Sequence, residues 1–307
     1  MSELRQFPRR ELPDALEVGT WTASDGWKLR DFAITTAGES RGSLLFLGGR
    51  ADFFEKYLEA IQHWSAGGWN VAGFDWRGQG GSGVTHPDAH CHIDDFAIWV
   101  RDLAAYFNEW IEQSRGPHAV IGHSLGGHLV LRAVAEGRIE PDGIILSAPM
   151  LGIKAGPIRG RTLHALGMAG HLPMFRERAI WGKQTPAPST YITTCSQRHE
   201  DKLWWKAQRP ELARGGPTWG WLAEALRSQA RLKRNMVRKP METPALVLIS
   251  PCDAVVDNRS ITDLLVHMPK GQLHEIVGAG HELLRESDLP RSLTMDKIDA
   301  FLRNLQV

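Results

Sequence analysis

One serine is set among small residues where chemistry could be done. Gly122-His123-Ser124-Leu125-Gly126 fits the pattern Gly-x-Ser-x-Gly, with an apolar strand-like run, His118-Ala119-Val120-Ile121, before it and a helix-like run, 129–135, after it. A strand that turns at once into a helix strains the residue at the turn and lifts its side chain clear of the backbone. Bulk two positions to either side would collide, so glycine belongs there. The helix N-terminus that follows offers free N–H groups that favour developing negative charge. The same pentapeptide also suits a plain strand–helix turn with an N-capping serine. A serine hydroxyl is a weak nucleophile without a base, so the catalytic reading demands partners elsewhere in the chain.

The chain has 13 histidines, and position selects among them. In IVGAGHELLRE (276–286), His281 follows the last strand-like run on a glycine-flexible loop. A carboxylate is needed to orient the imidazole and stabilise its charged form. LVLISPCDAVVDNRS (246–260) offers two, Asp253 and Asp257. Asp253 stands three residues past the strand end and can reach inward. Asp257 precedes NRSITDLLVHM and reads better as a helix N-cap. The expected catalytic set is Ser124, Asp253 and His281, in that chain order.

These residues need a scaffold that brings the ends of separate strands together. TWTASDGWKLRDFAIT carries an Asp25-Gly26 turn between strand-like runs, a hairpin signal. Apolar runs at 42–49, 69–75, 118–124, 143–149, 245–250 and 273–278 then alternate with helical patterns at 52–68, 94–111, after 124, 258–267 and 290–304. Such alternation predicts an α/β fold with a parallel sheet covered on both faces, where ligands bind at the carboxyl ends of the strands. The alternation stops near 151 and resumes near 243. Net charge is +1, yet residues 151–240 hold 17 Lys and Arg against 5 Asp and Glu. The expected division is therefore a core of 1–150 and 240–307 with an inserted unit, 151–239.

FLGGRADFFEKY, FDWRGQGGSG, GHSLGG, SPCDAVVD and GAGH together resemble the α/β-hydrolases. Within them the chain is similar to the monoacylglycerol lipase and lysophospholipase branch, the serine aminopeptidase S33-like hydrolases. The resemblance spans about 20–150 and 240–305. It implies a mostly parallel eight-stranded sheet with helices on both faces and a helical cap over the site. It also implies Ser124 as nucleophile, Asp253 as orienting acid and His281 as base. The oxyanion hole would use the N–H of Leu125 and one from the loop after LLFL. That loop usually begins His-Gly in this branch, but here it is Gly48-Gly49-Arg50-Ala51, and matching by position points to the Arg50 N–H. It also differs from the His-Gly-Gly-Pro-Gly loop of proline aminopeptidases, which weakens a peptidase reading.

The expected activity is a serine carboxylic-ester hydrolase that works through an acyl-enzyme without metal or organic cofactor. The resemblance and the basic insertion point to a single-chain lipid ester, such as a lysophospholipid or monoacylglycerol. A short-chain carboxylesterase is the alternative enzyme, and a non-catalytic binding protein on the same fold is the alternative class. Epoxide hydrolases and haloalkane dehalogenases of this fold place aspartate where Ser124 stands.

The insertion holds Trp181, Trp204, Trp205, Trp219, Trp221, Met168, Met174 and Phe175, and WLAEALRSQARLKRNMV puts Leu222, Leu226, Gln229 and Met236 near one helical face. It reads either as a subdomain burying its own aromatics, or as an acyl tunnel under a cap whose basic surface meets anionic membrane. No nucleic-acid-binding motif accompanies the basic stretch. His90-Cys91-His92 lacks a fourth metal ligand nearby, and Cys252 is expected to pack. Asp75 and Arg77 are expected to pin a structural turn. Three cysteines without CxxC, no apolar leader and no run near the roughly 18 residues of a membrane span predict a cytoplasmic protein.

Overall fold

The protein is described here from a computed structural model covering residues 7–154, 170, 172–180 and 192–305. Eight strands form one sheet: β1 (Leu16–Thr22), β2 (Lys28–Ile34), β3 (Ser43–Leu47), β4 (Asn70–Phe74), β5 (His118–His123), β6 (Gly143–Ser147), β7 (Ala245–Ile249) and β8 (Gly271–Glu275). Their spatial order is β1-β2-β4-β3-β5-β6-β7-β8. β2 pairs antiparallel with β1 and β4, and all other pairings are parallel. The chain runs from β3 outward to β4 and returns to β5 on the other side of β3. The order therefore reverses between β3 and β5, which opens a crevice at their carboxyl ends.

The central strands are buried on both faces, which is why they read as continuous apolar runs. Alternate residues feed opposite layers. Leu45, Leu47, Val120, Ile144, Leu146, Val247 and Ile249 meet α2 (Phe96–Gln113) and α3 (Leu125–Ala135) in one cluster. Leu44, Phe46, Ala119, Ile121, Ile145, Leu246 and Leu248 meet α1 (Leu58–Ala66) and the C-terminal α8 (Asp288–Asn304) in the other. Each such buried Val, Leu, Ile or Phe side chain contributes roughly 1.5–3 kcal/mol, so the strands carrying the site are held by the most buried part of the molecule.

Two boundaries differ from expectation. The helix expected over 52–68 is an extended Phe53, a 3-10 turn over Phe54–Tyr57, and then α1, because the Asp52 carboxylate is engaged elsewhere and caps nothing. The strand expected at 273–278 is β8, two to three residues earlier. Ile276 donates its N–H to the Ile249 carbonyl (2.8 Å) as the chain leaves the sheet, and Val277 is exposed. β8 lies at the sheet edge, where its half-exposed residues hide the apolar pattern.

The inserted segment contributes α4 (Pro173–Arg176), α5 (Ser196–Gln208) and α6 (Trp219–Arg238); α7 (Asn258–Leu265) follows β7. Trp221, Leu222, Leu232 and Met236 of α6 join the α2–α3 cluster, and Trp205 of α5 joins the other. These side chains pack into the layers of the sheet and not into a separate core. Leu226 is half-buried on the same face, and Gln229 Nε2 donates to the Met150 carbonyl. Met174 is exposed, while Met168 and Trp181 lie outside the described residues.

α6 is tied to α3 by a buried polar contact. The Ser228 hydroxyl accepts from Arg132 (2.8 Å) and lies 2.6 Å from His128 Nε2. Burial, with the Arg132 charge beside it, lowers His128 to about 3. Between about 3 and 6.5 it is therefore neutral in the folded state and protonated in the unfolded one. The stability this group contributes is present in full above the unfolded-state value of about 6.5, and it is lost as pH falls toward 3. Thermal melts between pH 7.5 and 4.5 should show this loss, with a limiting slope of roughly 1.4 kcal/mol per pH unit for one proton. His128→Gln should flatten the slope, and an unchanged slope in that variant would rule out His128 as its source.

Candidate active site

Ser124 sits where β5 ends and α3 begins, with φ 52° and ψ −113°. A positive φ in a non-glycine residue costs about 1–3 kcal/mol and persists only where the surroundings enforce it. The glycines explain how it is enforced. A Cβ at Gly122 would lie 2.7 Å from the Gly126 backbone, and one at Gly126 would lie 2.5 Å from the carbonyl oxygens of Leu47 and Gly48. The turn is thus pressed against its own helix and against the end of β3. The Ser124 side chain makes no capping hydrogen bond to α3, so the capping alternative does not hold here.

The hydroxyl turns instead to His281. Ser124 Oγ lies 2.9 Å from His281 Nε2, and His281 Nδ1 lies 2.7 Å from Asp253 Oδ2. All three residues are buried. Burial pushes the Asp253 carboxyl up, but the His281 contact and the N–H groups of Val255 and Val256 on Oδ1 (2.7 and 3.0 Å) outweigh it and hold it below the usual range. An ionised Asp253 only accepts. His281 Nδ1 must therefore carry the proton, which leaves the Nε2 lone pair facing the serine hydroxyl. Asp257 lies apart from this chain and caps α7 through the Arg259 N–H (3.2 Å).

A second histidine, His123, stands 5.0 Å ring to ring from His281. Burial first, then the His281 charge, lower it to about 4. Its Nδ1–H donates to the Ser147 carbonyl (3.2 Å). His123 thus stays neutral near pH 7 beside the His281 ring.

The loop after β3 lies against the serine: a Cβ at Gly49 would stand 3.1 Å from Ser124 Cβ. Its N–H groups are distributed unequally. Gly49 N–H donates to Asp52 Oδ2 (2.7 Å), and Ala51 N–H donates to Gln79 Oε1. Between them, the Arg50 N–H donates to none of the described residues. The N–H of Leu125, first in α3, has no intrahelical acceptor and no other described one. Two N–H groups are therefore left at the two loops that border Ser124.

Asp52 and Gln79 were not singled out by the sequence, although both shape this loop. Asp52 also accepts from Tyr57 Oη (2.7 Å) and pairs with Lys56. Burial pushes Asp52 up, but the Lys56 charge holds it at about 2. Gln79 comes from the DWRGQGGSG loop, whose frame is built as expected. Asp75 accepts from Arg30, Phe54 N–H and Gly81 N–H, while Arg77 pairs with Asp25 and Asp102. The only sequence signal for Asp52 was an acid placed three residues after a glycine pair.

The remaining candidates have other settings. His92 Nδ1 contacts Thr218 Oγ1 (2.7 Å), and Cys91 exchanges backbone hydrogen bonds with Gly216 and Thr218, docking this stretch onto the start of α6. Cys252 is exposed, against the expectation that it packs, because it sits in the turn after β7.

Residues 38–288 match the family described as serine aminopeptidase, S33. The chain is 29% identical over 268 residues to lysophospholipase L2 of Escherichia coli strain K12, covering 82% of this chain and 78% of that protein. It is 28% identical over 269 residues to a probable lysophospholipase L2 of Haemophilus influenzae, covering 85% and 84%. Among solved structures, a soluble variant of monoglyceride lipase from Saccharomyces cerevisiae superposes with a TM-score of 0.77 at 18% identity, over 97% of this chain and 99% of that one. A monoacylglycerol lipase from Paleococcus ferrophilus gives 0.70 at 18% identity, over 90% and 98%. Likeness at this identity speaks for the fold alone, and the fold agrees with the sheet order and the strand–serine–helix turn. The family match covers most of the chain, so this protein belongs to the serine aminopeptidase S33 family of α/β-hydrolases.

Proposed function

We propose that this chain is a serine carboxylic-ester hydrolase acting on single-chain lipid esters, a lysophospholipid or a monoacylglycerol. The observation that carries the reading is the unbroken contact chain Ser124 Oγ–His281 Nε2 (2.9 Å) and His281 Nδ1–Asp253 Oδ2 (2.7 Å) on a strained turn. The names of the lysophospholipase relatives support the substrate class.

His281 Nε2 removes the hydroxyl proton as Ser124 Oγ attacks the ester carbonyl. The N–H groups of Leu125 and Arg50 receive the oxyanion. As the tetrahedral intermediate collapses, the carbon–oxygen bond to the leaving alcohol breaks, and His281 gives that oxygen its proton. Water then repeats the sequence on the acyl-enzyme, releasing fatty acid and restoring Ser124. Asp253 stays ionised throughout and steadies the imidazolium.

Residues 151–239 are assigned as a cap over this site, and its excess of basic residues as a contact for anionic membrane. No helix among the described residues is long and apolar enough to cross a membrane, so this contact is peripheral. It should be salt-sensitive: co-sedimentation with anionic vesicles should exceed that with neutral ones and fall as salt is raised. Equal binding to both vesicle types would remove the assignment. A cytoplasmic location belongs to the same proposal, supported by three free cysteines.

A hydrolysis panel tests the substrate class. It comprises p-nitrophenyl esters of graded length, a long-chain monoacylglycerol and a lysophosphatidyl lipid. Higher kcat/KM on the two lipids than on p-nitrophenyl butyrate is expected. A reversed order would assign a short-chain carboxylesterase instead.

A further inference from the structure

Two loops from distant parts of the chain must meet Ser124 at once. The loop after β3 carries the Arg50 N–H, and the loop after β8 carries the His281 imidazole. Neither residue lies in a strand or a helix. The second loop runs through Gly278-Ala279-Gly280, with Gly278 at φ 82°. A glycine-rich loop has little stiffness of its own, so contacts from outside must fix it.

Those contacts are shared between the two loops. Asp52 Oδ2 accepts from the N–H of Gly49, the residue before Arg50 (2.7 Å), and from Tyr57 Oη (2.7 Å). Asp52 Oδ1 takes the Lys56 ammonium, and the same ammonium donates to Glu282 Oε1 (2.8 Å). Glu282 is the residue after His281. Its Oε2 takes Arg285 Nη1, and Arg285 Nε donates back to the Lys56 carbonyl (3.1 Å). Residues 52–56 and 282–285 are thus tied twice, across 226 and 229 positions, and Lys56 stands in both ties.

The four side chains are at most 8% exposed. Burial pushes the Glu282 carboxyl up, but the Arg285, Lys56 and Lys202 charges outweigh it and hold it well below the usual carboxylate range. Asp52 stays ionised as well. Four buried charges are a poor source of stability, because desolvation offsets their attraction and apolar groups of similar volume would serve as well. An ammonium between two carboxylates does what apolar groups cannot: its contacts are directional, and they fix one separation.

Little slack lies between this bridge and the reacting atoms. A Cβ at Gly49 would stand 3.0 Å from Asp52 Oδ2 and 3.1 Å from Ser124 Cβ. On the other loop, a Cβ at Gly280 would stand 2.9 Å from the Ile192 carbonyl oxygen and 3.0 Å from Glu286 Oε1. Those two atoms accept the N–H groups of Glu282 (2.8 Å) and Gly280 (2.6 Å), one on each side of His281. A shift of Asp52 or Glu282 therefore reaches the loop that each one holds.

We infer that Lys56 is a positioning residue for ester hydrolysis, its ammonium setting the separation between the oxyanion loop and the loop of the base. The inference rests on the ester-hydrolase reading and deepens it, since it names what brings the Arg50 N–H and His281 Nε2 to bear on one reacting carbon.

The test uses p-nitrophenyl butyrate, whose hydrolysis needs no lipid recognition. In folded Lys56→Met, kcat should fall about 10- to 100-fold with KM changed by no more than about two-fold, because a misplacement of about 1 Å is felt in the transition state. The inhibition constant of n-butylboronic acid should rise by a similar factor, because its tetrahedral serine adduct needs the oxyanion donors and the imidazole together. Lys56→Arg, whose forked guanidinium also spans two carboxylates, should restore most of both. A folded Lys56→Met protein with unchanged kcat, a loss confined to KM, or Lys56→Arg as slow as Lys56→Met overturns the assignment. If Lys56→Met does not fold, Glu282→Gln replaces it, since that variant keeps the Asp52–Lys56 pair and weakens the tie to the His281 loop. The same loss in kcat then supports the assignment, and an unchanged kcat overturns it. If the wild type hydrolyses no ester, it is the hydrolase reading that fails. Proton NMR of the His281 Nδ1–H, assigned by its loss in His281→Gln, then decides the positioning: a shifted or broadened signal in Lys56→Met supports it, and an identical signal overturns it.

Discussion

Ser124→Ala should lower ester kcat on the order of a million-fold, to the level supported by binding and the oxyanion donors alone. The size of the loss follows from the contact chain. Without Oγ, the imidazole 2.9 Å away has no proton to take, and no acyl-enzyme forms. Folding should survive, because the turn is enforced by Gly122 and Gly126 against the ends of β3 and α3 and not by the hydroxyl. Ser124→Gly, which relaxes the 52° φ, should be at least as stable as Ser124→Ala and equally inactive. Initial-rate kinetics beside thermal melts check both statements. A folded Ser124→Ala protein retaining more than about a hundredth of wild-type kcat, against the loss expected for a nucleophile, would show that another group attacks the ester.

Asp253→Asn should lower kcat about 10,000-fold while leaving KM nearly unchanged. The carboxylate accepts the Nδ1 proton, so the lone pair at Nε2 faces Ser124. An amide that presents N–H to the ring favours the opposite tautomer, which points a proton at the serine hydroxyl. It also removes the negative charge that steadies the imidazolium. Asp257→Asn is the matched control. Asp257 caps α7 through the Arg259 N–H, so its loss should be confined to at most about 1 kcal/mol of stability. Similar kinetic losses in the two variants would mean that the orienting acid is not Asp253.

Much of this arrangement is legible in the residue order, for physical reasons. β3, β5, β6 and β7 are buried on both faces, so each shows as an unbroken apolar run whose carboxyl end can be located to within a residue or two. Once those ends are known, Ser124, Asp253 and His281 fall on one edge of the sheet although 28 and 157 positions separate the contacting pairs. The Asp25-Gly26 hairpin is equally plain, with Gly26 at φ 83°. Edge strand β8 is less so, because half of its residues face solvent.

Contacts between loops leave no periodicity to detect. Gln79 reaches Ala51 across 28 positions, and Asp52 gathers Gly49, Lys56 and Tyr57. Together they orient the loop that leaves the Arg50 N–H without an acceptor among the described residues, yet nothing in the spacing of these residues announces it. Arg198 and Arg209, in and just after α5, look like part of a solvated basic face in the sequence, but they pair with Glu59 and Glu55 across long stretches of chain.

The most direct test of the central claim, that Ser124 is a nucleophile activated by His281, is covalent labelling by a fluorophosphonate, read by intact mass and peptide mapping. One adduct per chain, on Ser124, is expected in the folded wild type, with labelling at least about a thousand-fold slower in His281→Gln. A folded wild-type protein that takes up no label at Ser124, or labels there equally fast without His281, would contradict it.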